Sequence, residues 1–131
     1  MNRSNRLRNP LKTARGLGSA KDGTGHWIAQ RITAVALVFL ALYVLWLVVS
    51  LAGDDYGTVR AAIARPFHAV ALVAFLIAMF WHAQLGLQVI IEDYVHAHGL
   101  AIAAQLAVRF ICALAAIASV LAVVRIALGA V

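Results

Sequence analysis

The sequence predicts an all-α membrane protein with three transmembrane helices, its N-terminus in the cytoplasm and its C-terminus on the opposite side of the membrane. The first observation is composition: 64% of the 131 residues are apolar, 12% are charged, and the mean hydropathy is +0.91. A soluble domain is closer to half apolar and a quarter charged, and a globule of this size exposes much of its surface. A soluble enzyme and an additional nucleotide-binding domain are therefore excluded.

The second observation is the position of the positive charge. The formal charge is +6, and residues 1–31 carry all of it, with seven Lys and Arg residues against one Asp. The other hundred residues balance four Arg against four acids. We interpret residues 1–27 as a basic cytoplasmic arm, because basic segments beside a membrane helix mark the cytoplasmic side. Membrane lipid, and not nucleic acid, is the expected partner of this charge.

The third observation is a set of three long apolar runs, Ile32–Ala52, Phe67–Ile91 and Leu100–Leu128. About 20 apolar helical residues cross the hydrocarbon, and a helix satisfies its own backbone there. Residues 28–131 are therefore predicted to form a three-helix membrane anchor, with helices at about 28–52, 67–92 and 100–128. The segment between the first two runs is expected to be a loop, and Glu92–Gly99 a short polar turn.

Orientation follows from the bias of basic residues between the two sides. Seven Lys and Arg lie up to Arg31, whereas an N-inside arrangement leaves only Arg60, Arg65 and Arg125 on the other side. This bias predicts a cytoplasmic N-terminus. The Glu92–Gly99 turn is then also cytoplasmic, although it contains two acids and no Lys or Arg, because acids count little in the rule.

The second helix contains the main functional candidate, His82. An ionisable side chain deep in an uncharged apolar run is costly unless it is paired or ligated. Gly86 follows one turn later on the same face, where the absence of a side chain leaves space for a flat ligand bound to His82. Haem ligation is one interpretation, and a structural histidine bonded to a neighbouring helix is the other.

A second candidate site lies where the same helix ends. Asp93 is eleven residues beyond His82, nearly three turns, which places the two on nearly the same face roughly 16 Å apart. Asp93 and Tyr94 could hydrogen-bond a quinone carbonyl and deliver protons to it. An interfacial tyrosine beside a helix-ending acid is the alternative. Arg31 opens the first helix at the same membrane face, where its charge suits a haem propionate or a lipid phosphate.

The other histidines give weaker signals. His68 begins the second helix on the opposite side of the membrane and is interpreted as an interfacial residue rather than an iron ligand. His96 and His98 lie in the polar turn, where no cysteine or acidic set joins them into a clear zinc site. Their roles stay open.

Two segments resemble a known family: Arg31–Leu37, with the sequence RITAVAL, and the second-helix pattern His82-x3-Gly86-x6-Asp93-Tyr94. In a three-helix chain of this size, they resemble the cytochrome b membrane-anchor subunit, D type, of succinate dehydrogenase, respiratory complex II. The resemblance covers about residues 25–128. The second-helix pattern is the more specific of the two, and the basic arm is not part of the family's pattern.

The resemblance implies a role for each matched residue. His82 is implied to be one axial ligand of a haem b whose other ligand comes from the companion anchor (C) subunit, with Gly86 making room for the haem. Tyr94 is implied to hydrogen-bond ubiquinone, with Asp93 beside it. Arg31 is implied to lie near the haem propionates and the quinone pocket.

The resemblance also implies partners, location and activity. The expected partners are the C subunit, an iron–sulfur subunit and a flavoprotein that oxidises succinate. The chain would not turn over succinate alone. A bacterial inner membrane is expected, and a mitochondrial inner membrane less so. The alternatives are the anchor of a quinol:fumarate reductase, or a cofactor-free structural or transporter subunit in which His82 is simply packed.

Overall fold

The computed structural model describes residues 23–129. Within that range the chain forms four helices and no strand: α1 (Gly23–Ser50), α2 (Tyr56–Ile63), α3 (Pro66–Tyr94) and α4 (His98–Ala127). Helices α1, α3 and α4 are long and apolar enough to cross a membrane. The predicted class is therefore confirmed, whereas the sidedness of the termini stays a prediction. Most of the basic arm, residues 1–22, lies outside the described residues.

The long helices extend beyond the hydrocarbon region. The 28 residues of α1 correspond to about 42 Å along the axis, against a hydrocarbon thickness of roughly 30 Å. Helix α1 begins at Gly23 rather than near residue 28, because the segment around His26 and Trp27 is helical although it is not part of the apolar run. Likewise α3 continues to Tyr94, and only residues 95–97 separate it from α4.

The segment between the first two long helices, expected to be a loop, contains the short helix α2. Gly53 turns the chain after α1 with a φ of 100°, a conformation that favours glycine. The carboxylate of Asp55 then caps α2, accepting from the backbone N–H of Gly57 at 2.9 Å and of Thr58 at 3.3 Å, and from the Thr58 hydroxyl at 2.6 Å. The bond from the Thr58 hydroxyl, followed by the two backbone bonds, lowers the pKa of Asp55 below its ordinary value of 3.8.

Helix α3 is the centre of the bundle. It packs against α1 on one side and α4 on the other, and within the described residues α1 and α4 do not contact each other. The short α2 touches α3 and α4 at one end. The three long helices therefore form a single layer rather than a closed bundle.

A single layer buries few side chains. The buried apolar residues are small in number and mostly small in size: Leu47, Ala62, Ala69, Ala78, Leu85, Ile91 and Cys112. Large apolar side chains are exposed on both outer helices, including Phe39 at 70% and Phe110 at 66%. Such surfaces are stable only against lipid or other membrane helices.

Candidate functional site

A polar contact in the middle of the layer joins α1 to α3. The hydroxyl oxygen of Thr33 on α1 lies 3.0 Å from Nδ1 of His82 on α3. Thr33 is 6% exposed, which makes it the most deeply buried polar residue of the described part of the chain. Its hydroxyl also lies 2.8 Å from the carbonyl oxygen of Ala29 and 3.1 Å from that of Gln30, both in its own helix. His82 is thus paired through one ring nitrogen.

Thr33 belongs to a polar stripe on α1. His26, Gln30 and Thr33 are separated by four and three residues, a spacing that places them on one face of a helix. Nε2 of His26 and Oε1 of Gln30 are both buried, and neither has a hydrogen-bond partner among the described residues. Buried polar atoms are normally paired, so these two indicate that a further polar group completes this region.

Gly86 lies across from this stripe, one turn after His82. A Cβ built on Gly86 would come 3.7 Å from Nε2 of Gln30, which is an ordinary van der Waals contact. The packing of α1 against α3 therefore does not itself require a glycine at this position. We call the five residues His26, Gln30, Thr33, His82 and Gly86 the α1–α3 seam.

Arg31 does not belong to the seam. It is exposed, and its guanidinium carbon lies 5.4 Å from the centre of the Trp27 ring one turn earlier, a cation–π contact. Two residues along a helix correspond to about 200° of rotation, so Arg31 points nearly opposite to Thr33. The structure places Arg31 on a different face of α1 from the contact with His82.

Asp93 and Tyr94 occupy the last turn of α3, and both are exposed, Tyr94 by 76%. Neither side chain has a hydrogen-bond partner within residues 23–129, whereas the neighbouring Glu92 accepts from Gln88 at 2.9 Å and Gln105 at 3.4 Å. Tyr94 is about 18 Å along the helix from His82. The seam and this pair are therefore two separate sites on one helix.

The remaining histidines lie elsewhere. His68 is fourteen residues before His82, or about 21 Å along α3, which is too far for both to ligate one iron. Its ring lies 6.1 Å from that of Tyr43, and both His68 Nδ1 and the Tyr43 hydroxyl are buried without a partner among the described residues. His96 and His98 are exposed.

No cluster of three or more His, Cys, Asp or Glu side chains in residues 23–129 could hold a metal ion. A bare metal ion needs such a cluster, whereas a haem iron, already bound by its porphyrin, is held by axial side chains. Nδ1 of His82 lies 3.0 Å from the Thr33 hydroxyl oxygen, and its second ring nitrogen has no hydrogen-bond partner among the described residues. Together with the unpartnered atoms of the seam, this donor set fits a haem.

The sequence pattern makes His82, Gly86, Asp93, Tyr94 and Arg31 candidates but gives no role to Thr33, Gln30 or His26. The available signal was the spacing of the polar residues at positions 26, 30 and 33 in a mostly apolar helix. That pattern indicates a polar face, but it does not show which residue of another helix the face meets.

Comparison with known proteins agrees with this architecture. Residues 5–122 match the family model described as succinate dehydrogenase/fumarate reductase transmembrane subunit. The chain is 34% identical over 117 residues to the succinate dehydrogenase hydrophobic membrane anchor subunit of Rickettsia bellii, covering 89% of this chain and 94% of that one. It is 35% identical over 122 residues to the subunit of the same description from Paracoccus denitrificans, covering 93% and 94%.

A third relative is the succinate dehydrogenase membrane anchor subunit of Reclinomonas americana, 37% identical over 79 residues, 58% of this chain and 66% of that one. No solved structure gives a significant match. The family match spans most of the chain, and the relatives from Rickettsia bellii and Paracoccus denitrificans are matched over 94% of their own length. The chain therefore belongs to the succinate dehydrogenase/fumarate reductase transmembrane subunit family, as a multi-pass hydrophobic membrane anchor subunit of the succinate dehydrogenase kind.

Proposed function

We propose that this anchor subunit supplies one axial ligand of a haem b, His82, and part of a ubiquinone-reduction site, Tyr94 and Asp93. In this function the chain takes part in electron transfer from succinate to quinone, in the citric acid cycle and the respiratory chain. The observation that carries the proposal is the environment of His82, an imidazole that contacts another helix through Nδ1 and whose second nitrogen has no hydrogen-bond partner among the described residues. A haem b would supply one-electron redox chemistry at this position.

The seam is well suited to hold such a group. Thr33 and Ala29 orient the imidazole through the hydroxyl bridge, and Gly86 presents no side chain on the same face of α3. Hydrogen-bond donors or acceptors of a bound ligand could satisfy the buried atoms of Gln30 and His26. Arg31, on another face of α1, could reach a haem propionate only at the edge of the site, near Trp27.

At the end of α3, Tyr94 and Asp93 are available to a second ligand. The phenol can donate a hydrogen bond to a quinone carbonyl, and the carboxylate can accept and release a proton. Both are exposed and without partners in residues 23–129, so binding a quinone would break no bond between described residues. The proposed task of this pair is to protonate the oxygen that becomes basic when the quinone is reduced.

The proposal requires partners. The second anchor (C) subunit would supply the other axial histidine, and the iron–sulfur and flavoprotein subunits would deliver electrons from succinate. The charge bias supports a cytoplasmic N-terminus, and with it a cytoplasmic position for the start of α1 and the Asp93–Tyr94 pair. The proposed location is a bacterial inner membrane. The family model also covers fumarate reductase, so an anchor working with quinol oxidation is the second candidate.

A reduced-minus-oxidised spectrum of the purified complex tests the ligand assignment. His82→Ala should abolish the low-spin b-type signal, whereas His96→Ala, which changes an exposed histidine just after α3, should retain it. His82→Met should keep a haem with a higher midpoint potential, because methionine is a weaker donor to iron. A wild-type spectrum in His82→Ala would refute the haem role and favour a cofactor-free subunit.

Co-purification with a tagged chain tests the wider assignment. A flavoprotein and an iron–sulfur protein should be recovered together with a second small membrane subunit. Recovery of the chain without them would contradict its proposed place in the complex, whatever the spectrum shows.

A further inference from the structure

We infer that Thr33 is a positioning residue for His82, holding its imidazole as the Nδ1–H tautomer so that Nε2 carries the lone pair offered to a ligand. The inference rests on the proposed function, in which His82 ligates a haem iron. It assigns to a buried hydroxyl on α1 the task of setting the electronic state and orientation of a ligand on α3.

The Thr33 hydroxyl has more possible acceptors around it than protons to donate. Its oxygen has three close neighbours: the Ala29 carbonyl oxygen at 2.8 Å, the Gln30 carbonyl oxygen at 3.1 Å and Nδ1 of His82 at 3.0 Å. A hydroxyl has a single proton to donate, and a backbone carbonyl can only accept. The shortest of the three contacts is the one to Ala29.

Two assignments of the protons must be compared. If Nδ1 were unprotonated, the hydroxyl would donate to it, and its oxygen would then face two carbonyl oxygens at 2.8 and 3.1 Å with no proton between them. If Nδ1 carries the proton, the hydroxyl donates to a carbonyl and accepts from Nδ1, so the bond across the helices is made without that repulsion. The geometry favours the second assignment.

The tautomer determines which nitrogen can bind a metal. A neutral imidazole with its proton on Nδ1 has its lone pair on Nε2. Histidines that bind metals generally donate their other N–H to a fixed acceptor, which orients the ring and raises its basicity. Here the acceptor is a hydroxyl that is itself anchored to its own helix and only 6% exposed, so it is rigid.

Removing the Thr33 hydroxyl should therefore shift the midpoint potential of a bound haem in one definite direction. Without the N–H···O bond the imidazole becomes a weaker donor, and the ferric form of a bound haem is stabilised less than the ferrous form. Changes to such supporting groups typically alter metal affinity or activity by about tenfold or more, and we expect the ferric form to bear most of the loss. A tenfold shift in the ferrous-to-ferric ratio corresponds to about 59 mV for one electron, toward a higher midpoint potential.

The test uses the intact purified complex and the variants Thr33→Val and Thr33→Ser. Valine keeps the branched shape without the hydroxyl, whereas serine keeps the hydroxyl. The matched control is Ser50→Ala, which removes a hydroxyl that donates to the Leu47 carbonyl at 2.8 Å in the same helix but far from His82. The readouts are haem content, midpoint potential and the low-spin electron paramagnetic resonance signal.

Thr33→Val is expected to raise the potential and broaden the low-spin signal, while Thr33→Ser and Ser50→Ala stay near the wild type. A Thr33→Val complex with the wild-type potential and signal, in a series where His82→Ala loses its haem, would overturn the role of Thr33 and leave the proposed function standing. Haem retained in His82→Ala would instead remove the proposed function, and this inference with it.

A measurement on the unmodified complex covers the case in which Thr33→Val does not assemble. Electron–nuclear double resonance of the wild-type haem should show that the nitrogen remote from iron, Nδ1 of His82, carries an exchangeable proton. Ligation through Nδ1 would break the contact with Thr33 and overturn the inference.

Discussion

Replacing Gly86 by alanine separates two reasons for a glycine in the middle of α3. The first reason would be the protein's own packing, and the structure argues against it. A Cβ at position 86 would meet only Nε2 of Gln30, at an ordinary contact distance of 3.7 Å, and the glycine does not have a positive φ. Since alanine favours a helix interior over glycine by about 0.5–1 kcal/mol, Gly86→Ala should stabilise the haem-free chain by about that amount.

The second reason would be a bound haem, which we propose packs against Gly86 beside its ligand His82. A methyl group there would intrude on a filled space, and overpacking of this kind costs about 1–3 kcal/mol. That range corresponds to roughly 5- to 150-fold weaker haem binding. The same substitution is therefore expected to stabilise the haem-free protein and to weaken haem binding.

The assay compares the thermal stability and the haem-to-protein ratio of complexes prepared with and without haem. Gly99→Ala in the first turn of α4 is the matched control, because a Cβ there meets nothing within 4 Å and lies on a different helix from His82. Gly86→Ala with full haem content, behaving like the control, would refute a role for Gly86 in haem packing. A loss of stability without haem would refute the conclusion that α1 leaves room for the methyl group.

Three further predictions concern the residues outside the seam. Tyr94→Phe removes a hydroxyl that has no hydrogen bond among the described residues, so succinate-driven quinone reduction should fall while dye reduction by the soluble subunits and thermal stability stay unchanged; equal quinone activity would exclude the phenol. Arg31→Gln removes the contact with Trp27, worth about 0.5–1 kcal/mol at an exposed site, and also the positive charge proposed to meet a haem propionate. It should therefore lower haem retention, measured as the haem-to-protein ratio after purification. Trp27→Leu should lose only the stability that the Arg31 contact provides, and equal haem loss in both variants would count against a direct role of the charge. Asp55→Ala should accelerate amide hydrogen exchange at the start of α2, and acid should do the same. Because the folded pKa of Asp55 is below 3.8, the stabilising contribution of its carboxylate is complete above that pH and is lost as the pH falls through the lowered value. Exchange unaffected by either change would show that the cap does not hold the helix.

The three long helices were predictable because crossing a membrane depends on length and composition. Helix α2 was not, because a segment of eight residues with Gly57 near its start is also typical of a loop; its signal was the capping pattern of Asp55 and Thr58. The start of α1 differs from the predicted start near residue 28 because residues 23–30 are less apolar than the segment that follows, although they belong to the same helix.

The site was predictable only where a single residue carries the signal. His82 is conspicuous as an ionisable group in an uncharged run. Thr33 is not, because a threonine in a membrane helix can bond its own backbone and so carries little cost. The role that we propose for Thr33 depends on the register of α1 against α3, which brings together two residues 49 positions apart. Nothing in the sequence of either helix alone sets that register.

The single-layer arrangement is a reason to expect that the proposed cofactor site is shared with a second subunit. Helix α3 is covered by α1 on one side and α4 on the other, which leaves its two remaining faces open, and Trp81, next to His82, is 52% exposed. A flat macrocycle ligated by His82 alone would have one face against this chain and the other against lipid. Apolar helices of a second subunit can cover that face and supply the second axial ligand. The chain expressed alone should therefore bind haem far more weakly than the assembled complex.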